Sequence, residues 1–227
     1  MLENLKQKVF EQNLALVKHG LVVLTWGNVS AKDEETGLIV IKPSGVSYDV
    51  MKAEDMVVVD LDGKVVEGKL NPSSDLPTHL YLYKKYPTIG GIVHTHSTYA
   101  TAYAQSGREI IPYGTTHADV FYGNVPITRD MIAEEIESNY EWNTGKIISE
   151  SITDVDAMPA MLVKNHGVFT WGKSANKAVE VAVTLEEVAK MALLTEQVNN
   201  KTPRISQNLL DKHYYRKHGK NAYYGQK

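Results

Sequence analysis

The sequence predicts a single α/β domain. With 227 residues, 43% of them hydrophobic, the chain is long enough to bury one sizeable core. Short apolar runs such as Leu38–Ile41, Met56–Asp60 and Ala160–Val163 alternate with longer segments of helical spacing. No internal repeat, low-complexity tract or Pro/Ser-rich linker divides residues 1–227.

The elements follow in order. Leu2, Leu5, Val9, Leu14 and Val17 give an amphipathic first helix that stops at Gly20. Gly27 and Asn28 then permit unusual backbone angles and a close ligand approach, although an ordinary turn would use the same residues. Leu38–Ile41 is a short strand leading into Lys42-Pro43-Ser44-Gly45, where a Lys, a hydroxyl and a Gly amide can cradle an anion or simply turn the chain. Met56–Asp60, the Asp62-Gly63 turn and Val65-Val66 form a hairpin. Ser73, Ser74 or Asp75 can cap a helix running to about Tyr86, with Pro77 in its first turn. The same helix N-terminus can offer amides and two hydroxyls to a phosphate.

The stretch with the most chemistry is Gly90-Gly91-Ile92-Val93-His94-Thr95-His96-Ser97. Side chains alternate along a strand, so His94 and His96 project from one face. A second apolar run, 160–163, leads into His166, so a third His stands at a strand end. Together with the acidic Asp75, three strand-end His match a catalytic divalent-metal site that keeps positions open. Zinc, manganese or cobalt all suit such donors.

Beyond that strand, Ser97 can cap a helix ending at Gly107. Thr115–Asp119 reads as a loop, with His117 structural. Residues 128–140 read as a helix capped by Thr128, and 141–157 carry no clear pattern. The 160–163 strand pairs with 168–172, and Ser174 caps a long helix through about Asn199. A final helix, 206–217, carries His213. Tyr223 and Tyr224 sit in a short tail whose aromatic density argues for docking, on this chain or a neighbouring subunit.

Composition excludes several functions. The net charge of -3 argues against a nucleic-acid partner, which requires a basic patch; Lys and Arg cluster only near 212–220. There is no Cys, hence no disulfide, thiolate ligand or Cys nucleophile. The N-terminus is charged where a secretory segment would be apolar, and no run is long enough to span a bilayer. The expectation is a cytoplasmic protein with no membrane partner. A metal with open positions beside an anion cradle suits a phosphorylated sugar, whose carbonyl and hydroxyl meet a Lewis acid.

Several segments carry a resemblance: Thr-Trp-Gly-Asn-Val-Ser (25–30), Ile-Lys-Pro-Ser-Gly-Val (41–46), Pro-Ser-Ser-Asp (72–75), Gly-Ile-Val-His-Thr-His-Ser (91–97) and His-Gly (166–167). These resemble the class II aldolase and epimerase family. Gly-Thr-Thr-His-Ala-Asp (114–119), Leu-Leu-Asp-Lys-His-Tyr (209–214) and Ala-Tyr-Tyr-Gly-Gln (222–226) extend it over nearly the whole chain. Asp75, where the aldolases place a Glu, and the 115–119 loop resemble the branch that epimerises L-ribulose 5-phosphate.

The resemblance implies a three-layer α/β/α domain with a largely antiparallel central sheet, assembled as a cyclic homotetramer with active sites between subunits. It implies a divalent ion, commonly zinc, on His94, His96 and His166 with Asp75 as a further ligand. Gly27, Asn28, Lys42, Ser44, Gly45, Ser73 and Ser74 would hold the phosphate. Asp119 and Tyr224 would exchange protons on opposite faces of the substrate and His213 would assist, the last two coming from the adjacent subunit. The implied reaction is a retro-aldol cleavage at C3–C4 of the ketopentose phosphate and re-addition, giving D-xylulose 5-phosphate. Alternatives within the resemblance are an aldolase acting on a deoxysugar 1-phosphate and a non-catalytic adducin-like module.

Overall fold

A computed structural model describes residues 2–225; Gln226, the last residue of the tail motif, lies outside them. The strands are β1 (Asn28–Lys32), β2 (Ile39–Ile41), β3 (Val57–Val59), β4 (Val65–Glu67), β5 (Gly91–Thr95), β6 (Ala160–Val163) and β7 (Gly167–Gly172). They form one sheet in the order β4-β3-β2-β1-β5-β7-β6, and each neighbouring pair is antiparallel. The helices are α1 (Glu3–Lys18), α2 (Leu76–Lys85), α3 (Thr98–Ser106), α4 (Thr115–Ala118), α5 (Ala133–Glu137), α6 (Tyr140–Ser151), α7 (Ala175–Val198) and α8 (Gln207–Tyr215).

Period-two alternation sorts the strand residues between two cores. Ile39, Ile41, Ile92, Phe169 and Trp171 pack with Leu80 and Leu82 of α2 and Ile147 and Ile148 of α6. Their neighbours Val40 and Val93 face the other way, against Val9 and Leu16 of α1 and Ala178 and Ala182 of α7. Helices therefore cover both faces, and the α/β/α arrangement with an antiparallel sheet is as expected. A fully buried Ile or Leu contributes about 1.5–3 kcal/mol, so these two layers dominate the stability of the central strands.

The strand that carries His94 is fixed by close packing. A Cβ on Gly91 would overlap the backbone of Ser174 and Ala175, so β5 lies directly under the start of α7. There Ser174 accepts a bond from Lys177 N at 3.3 Å, the expected cap. Ser206 likewise caps α8 through Leu209 N at 3.4 Å.

Two expectations need correction. Residues 115–118 form a short helix rather than a loop, with His117 buried and its Nε2 donating to Gly123 O at 2.7 Å. Residues 128–140 are not one helix. Thr128 lies in an extended segment whose N–H donates to Leu162 O at 2.9 Å, and helix resumes only at 133–137. Thr128 is diverted because its hydroxyl accepts from Lys164 N at 3.1 Å, a long-range bond that competes with a cap.

Candidate active site and metal centre

His94 lies on the α2/α6 side of the sheet, stacked on Phe169 with ring centroids 4.3 Å apart. Its Nδ1–H donates to Val168 O at 2.9 Å. That bond fixes the tautomer and leaves Nε2 bare. His96, two residues on and exposed, brings its Nε2 to 3.0 Å from that atom. His166 arrives from the β6–β7 turn, where Asn165 adopts a left-handed φ of 60°. One donor atom from each of the three imidazoles lies within 4.8 Å of the others. Gly167 makes the approach feasible, since a Cβ there would stand 2.7 Å from Thr95 O and 3.1 Å from His96 Cδ2.

The donor set fits a divalent ion. Burial, then the neighbouring His94 and His96 rings, pushes His166 down to about 4. Burial and His94 also lower His96, with Asp75 opposing. Neutral imidazoles at neutral pH are the metal-binding form.

Asp75 borders the same cavity but stands outside the three-donor group. It occupies the position before α2 without capping it by its side chain; its Oδ2 instead accepts from Asn28 Nδ2 at 2.7 Å. Burial opposes its ionisation, yet the His94 and His79 rings and the Asn28 amide outweigh that and hold its pKa below the usual value. Asn28 Nδ2 also donates to Ser73 Oγ at 3.1 Å, so one amide ties the metal side to the phosphate side.

The expected anion cradle assembles from two loops. Ser73 N donates to Lys42 O at 3.0 Å and Ser44 N to Asn71 O at 2.9 Å. Lys42 is buried, and its Nζ donates to Val46 O at 2.9 Å and Pro43 O at 3.2 Å, leaving one N–H for a ligand. Burial lowers its pKa. Gly27, at φ 86°, presses on the β5 backbone, where a Cβ would stand 3.0 Å from His94 O. Gly27, Asn28, Lys42, Ser44, Gly45, Ser73 and Ser74 all line one cavity of about 380 Å³ together with the three His.

The remaining expected residues gather elsewhere. Asp119, at the end of α4, accepts from His213 Nδ1 at 3.0 Å and from Arg216 Nη2 at 2.8 Å, with Lys217 Nζ at 3.1 Å. Tyr224 rests on the same cations, its ring 4.8 Å from the Arg216 guanidinium and 4.4 Å from Lys217 Nζ. This cluster borders a groove formed with α1 and α7, on the other side of the sheet from His94. The resemblance implied that His213 and Tyr224 come from an adjacent subunit; within this chain both gather beside Asp119. The three belong to one cluster of one chain, because Arg216 and His213 converge on the Asp119 carboxylate.

Burial opposes ionisation of Asp119, but hydrogen bonds from Arg216, His213 and Lys217 hold its pKa below the ordinary 3.8. A depressed carboxylate stabilises the fold above its unfolded pKa and loses that contribution as pH falls through the folded value. Docking of residues 207–225 should thus persist to about pH 4 and fail below it. Asp119→Asn should loosen the same segment at pH 7 by about 1–2 kcal/mol. Amide exchange across 207–225 measures both; unchanged protection in the variant would contradict the cluster's role.

Two residues of the site region escaped sequence reasoning. His79 lies under Asp75 and His94, its Nδ1 2.7 Å from Ser30 Oγ, and burial pushes it down to about 3. Its spacing of four from Asp75 on one helix was the available signal. Tyr140, whose hydroxyl stands 3.4 Å from His166 Nδ1, had no local signal.

A family model described as the class II aldolase and adducin N-terminal domain matches residues 7–193. The chain belongs to that family. The match includes all three His, Asp75 and Asp119, and ends before His213 and Tyr224. Among solved structures, an L-fuculose 1-phosphate aldolase is similar at 27% identity, over 92% of this chain and 94% of its own, with a TM-score of 0.79. An L-fuculose 1-phosphate aldolase from Glaciozyma antarctica PI12 matches at 21% identity, 97% and 84% coverage and a TM-score of 0.81. YgbL from Escherichia coli, described as a putative aldolase/epimerase/decarboxylase, matches at 21% identity, 92% and 97% coverage and a TM-score of 0.75. The latter two likenesses concern the fold. Among the described residues, no helix is long and apolar enough to cross a membrane.

Proposed function

We propose that this family member is a metal-dependent enzyme of phosphorylated sugars that epimerises L-ribulose 5-phosphate and D-xylulose 5-phosphate at C4. One observation carries the reading: three convergent imidazoles share a cavity with a two-loop anion cradle. A divalent ion on His94, His96 and His166, with Asp75 beside it, would supply Lewis-acid stabilisation of negative charge next to the ketose carbonyl; zinc is the first choice, with manganese or cobalt alternatives. The cradle of Gly27, Asn28, Lys42, Ser44, Gly45, Ser73 and Ser74 would hold the phosphate and orient the chain.

A base then takes the C4 hydroxyl proton, the C3–C4 bond breaks, and its electron pair remains on C3 as an enediolate beside glycolaldehyde phosphate. After the aldehyde presents its other face, C3–C4 re-forms and the alkoxide at C4 takes up a proton. Asp119 and Tyr224 are the proposed proton-exchange pair, with His213 holding Asp119. Because their cluster and the metal cavity occupy different sides of the chain, the complete site needs a second copy, and a cyclic homotetramer provides it. The rim of the cavity favours that arrangement: Leu24 is 74% and Trp26 53% exposed beside it, an apolar edge unlike a solvated loop.

The aldolase reading, cleavage of a deoxysugar 1-phosphate, is favoured by the likeness to the L-fuculose 1-phosphate aldolase. Asp75 and the Thr-Thr-His-Ala-Asp sequence favour the epimerase. The discriminating experiment supplies metal-loaded protein with L-ribulose 5-phosphate or L-fuculose 1-phosphate, with and without chelator. Chelator-sensitive formation of D-xylulose 5-phosphate is the expected result; cleavage of the second substrate alone would move the chain to the aldolases.

A further inference from the structure

We infer that Tyr140 is a positioning residue for the third imidazole: its phenolic oxygen accepts the His166 Nδ1–H and thereby aims Nε2 at the ion. The inference rests on the metal reading above.

The buried His94 and the half-buried His166 are held differently. His94 is fixed by a main-chain acceptor, Val168 O at 2.9 Å, which belongs to the β5–β7 region of the sheet. His166 stands on a turn, where the backbone alone does not set the ring. Its Nδ1 has Tyr140 Oη as partner at 3.4 Å, with the rings tilted at 36° and their centroids 6.1 Å apart. A ligating imidazole keeps its tautomer and direction through the bond made by its other nitrogen. With Nδ1 occupied by the phenol, Nε2 is the atom left to face His94 and His96.

Tyr140 is itself held in place. It opens α6, which packs tightly on α2: a Cβ on Gly145 would come within 2.6 Å of Tyr81 Cβ. Thr78 Oγ1, on α2, donates to Glu141 O at 2.6 Å. The helix pair thus places Asp75 and Tyr140, at their two N-terminal ends, over one imidazole cluster. The backbone of the turn is fixed separately. Asp130 pairs with Lys164 Nζ at 2.5 Å and accepts from Asn165 Nδ2 at 3.3 Å, so losing the phenol need not unfold the turn.

The test is Tyr140→Phe, which keeps the ring and removes the acceptor. Zinc affinity of the full-length protein is measured by competition with a chromophoric chelator, alongside the visible spectrum of the cobalt-loaded form and thermal unfolding of the metal-free form. The expected result is about 10-fold or greater weakening of zinc binding, a shifted cobalt spectrum and unchanged unfolding of the metal-free protein. Equal affinity and an identical spectrum in variant and wild type would overturn the inference and leave the metal reading intact. Weakened binding that tracks an equal loss of metal-free stability would assign Tyr140 to packing and also overturn it. A wild-type protein that binds no zinc would overturn the metal reading, and this inference with it.

Discussion

A one-to-one mixture of His96→Asn and Asp119→Asn chains, co-assembled, is expected to recover roughly a quarter of wild-type turnover, although each variant alone is inactive. The figure is the random-mixing probability for a ring in which each site takes one half from each of two neighbours. A site is intact when its imidazoles come from the Asp119→Asn chain and its carboxylate from the His96→Asn chain. The prediction follows from the separation of the two clusters, with the imidazoles on the α2/α6 side and Asp119 bordering the groove by α1 and α7. Mixing Asp119→Asn with Tyr224→Phe is expected to recover nothing, since Asp119 and Tyr224 share Arg216 within one chain and no half would be whole. Verified mixed assemblies with the reverse pattern would show that Asp119 and Tyr224 belong to different halves of the site.

The second large effect concerns the metal. His96→Asn is expected to weaken zinc binding by at least about 100-fold and turnover by about 10³-fold, since a Lewis acid contributes several kcal/mol. The fold should survive. His96 is the exposed member of the three, and its side chain packs only loosely near Trp26, at 6.5 Å between ring centroids. The melting temperature of the metal-free variant should match that of the metal-free wild type. A variant without metal but with full turnover would sink the mechanism.

Much of this site was legible in the sequence because its geometry is local. Two His separated by one residue on a strand must share a face, and a His-Gly after an apolar run marks a turn. The cradle loops were legible for the same reason, each being a short Pro/Ser/Gly segment beside a strand or helix end. The antiparallel layering needed the family resemblance, because short apolar runs do not state their partners.

What could not be read depends on contacts distant in sequence. Asp75 has the composition of a helix cap, and only the pairing of β1 beside β5 shows that its carboxylate answers Asn28, 47 residues away. Thr128 looked like a cap and instead holds the His166 turn, 36 residues on. The Asp119 cluster joins residues 94 to 97 positions apart, and the tail Tyr residues gave no indication of which chain they would serve. Tyr140 is an ordinary aromatic at a helix start until α6 is seen docked on α2.

The central claim is that three imidazoles hold one ion. X-ray absorption at the zinc edge, on the loaded wild type and on His96→Asn brought to the same zinc content, tests it most directly. Three nitrogen ligands with imidazole outer-shell scattering at about 2.0–2.1 Å in the wild type, and fewer in the variant, are expected. A spectrum without imidazole scattering, or one that His96→Asn leaves unaltered, would contradict the claim.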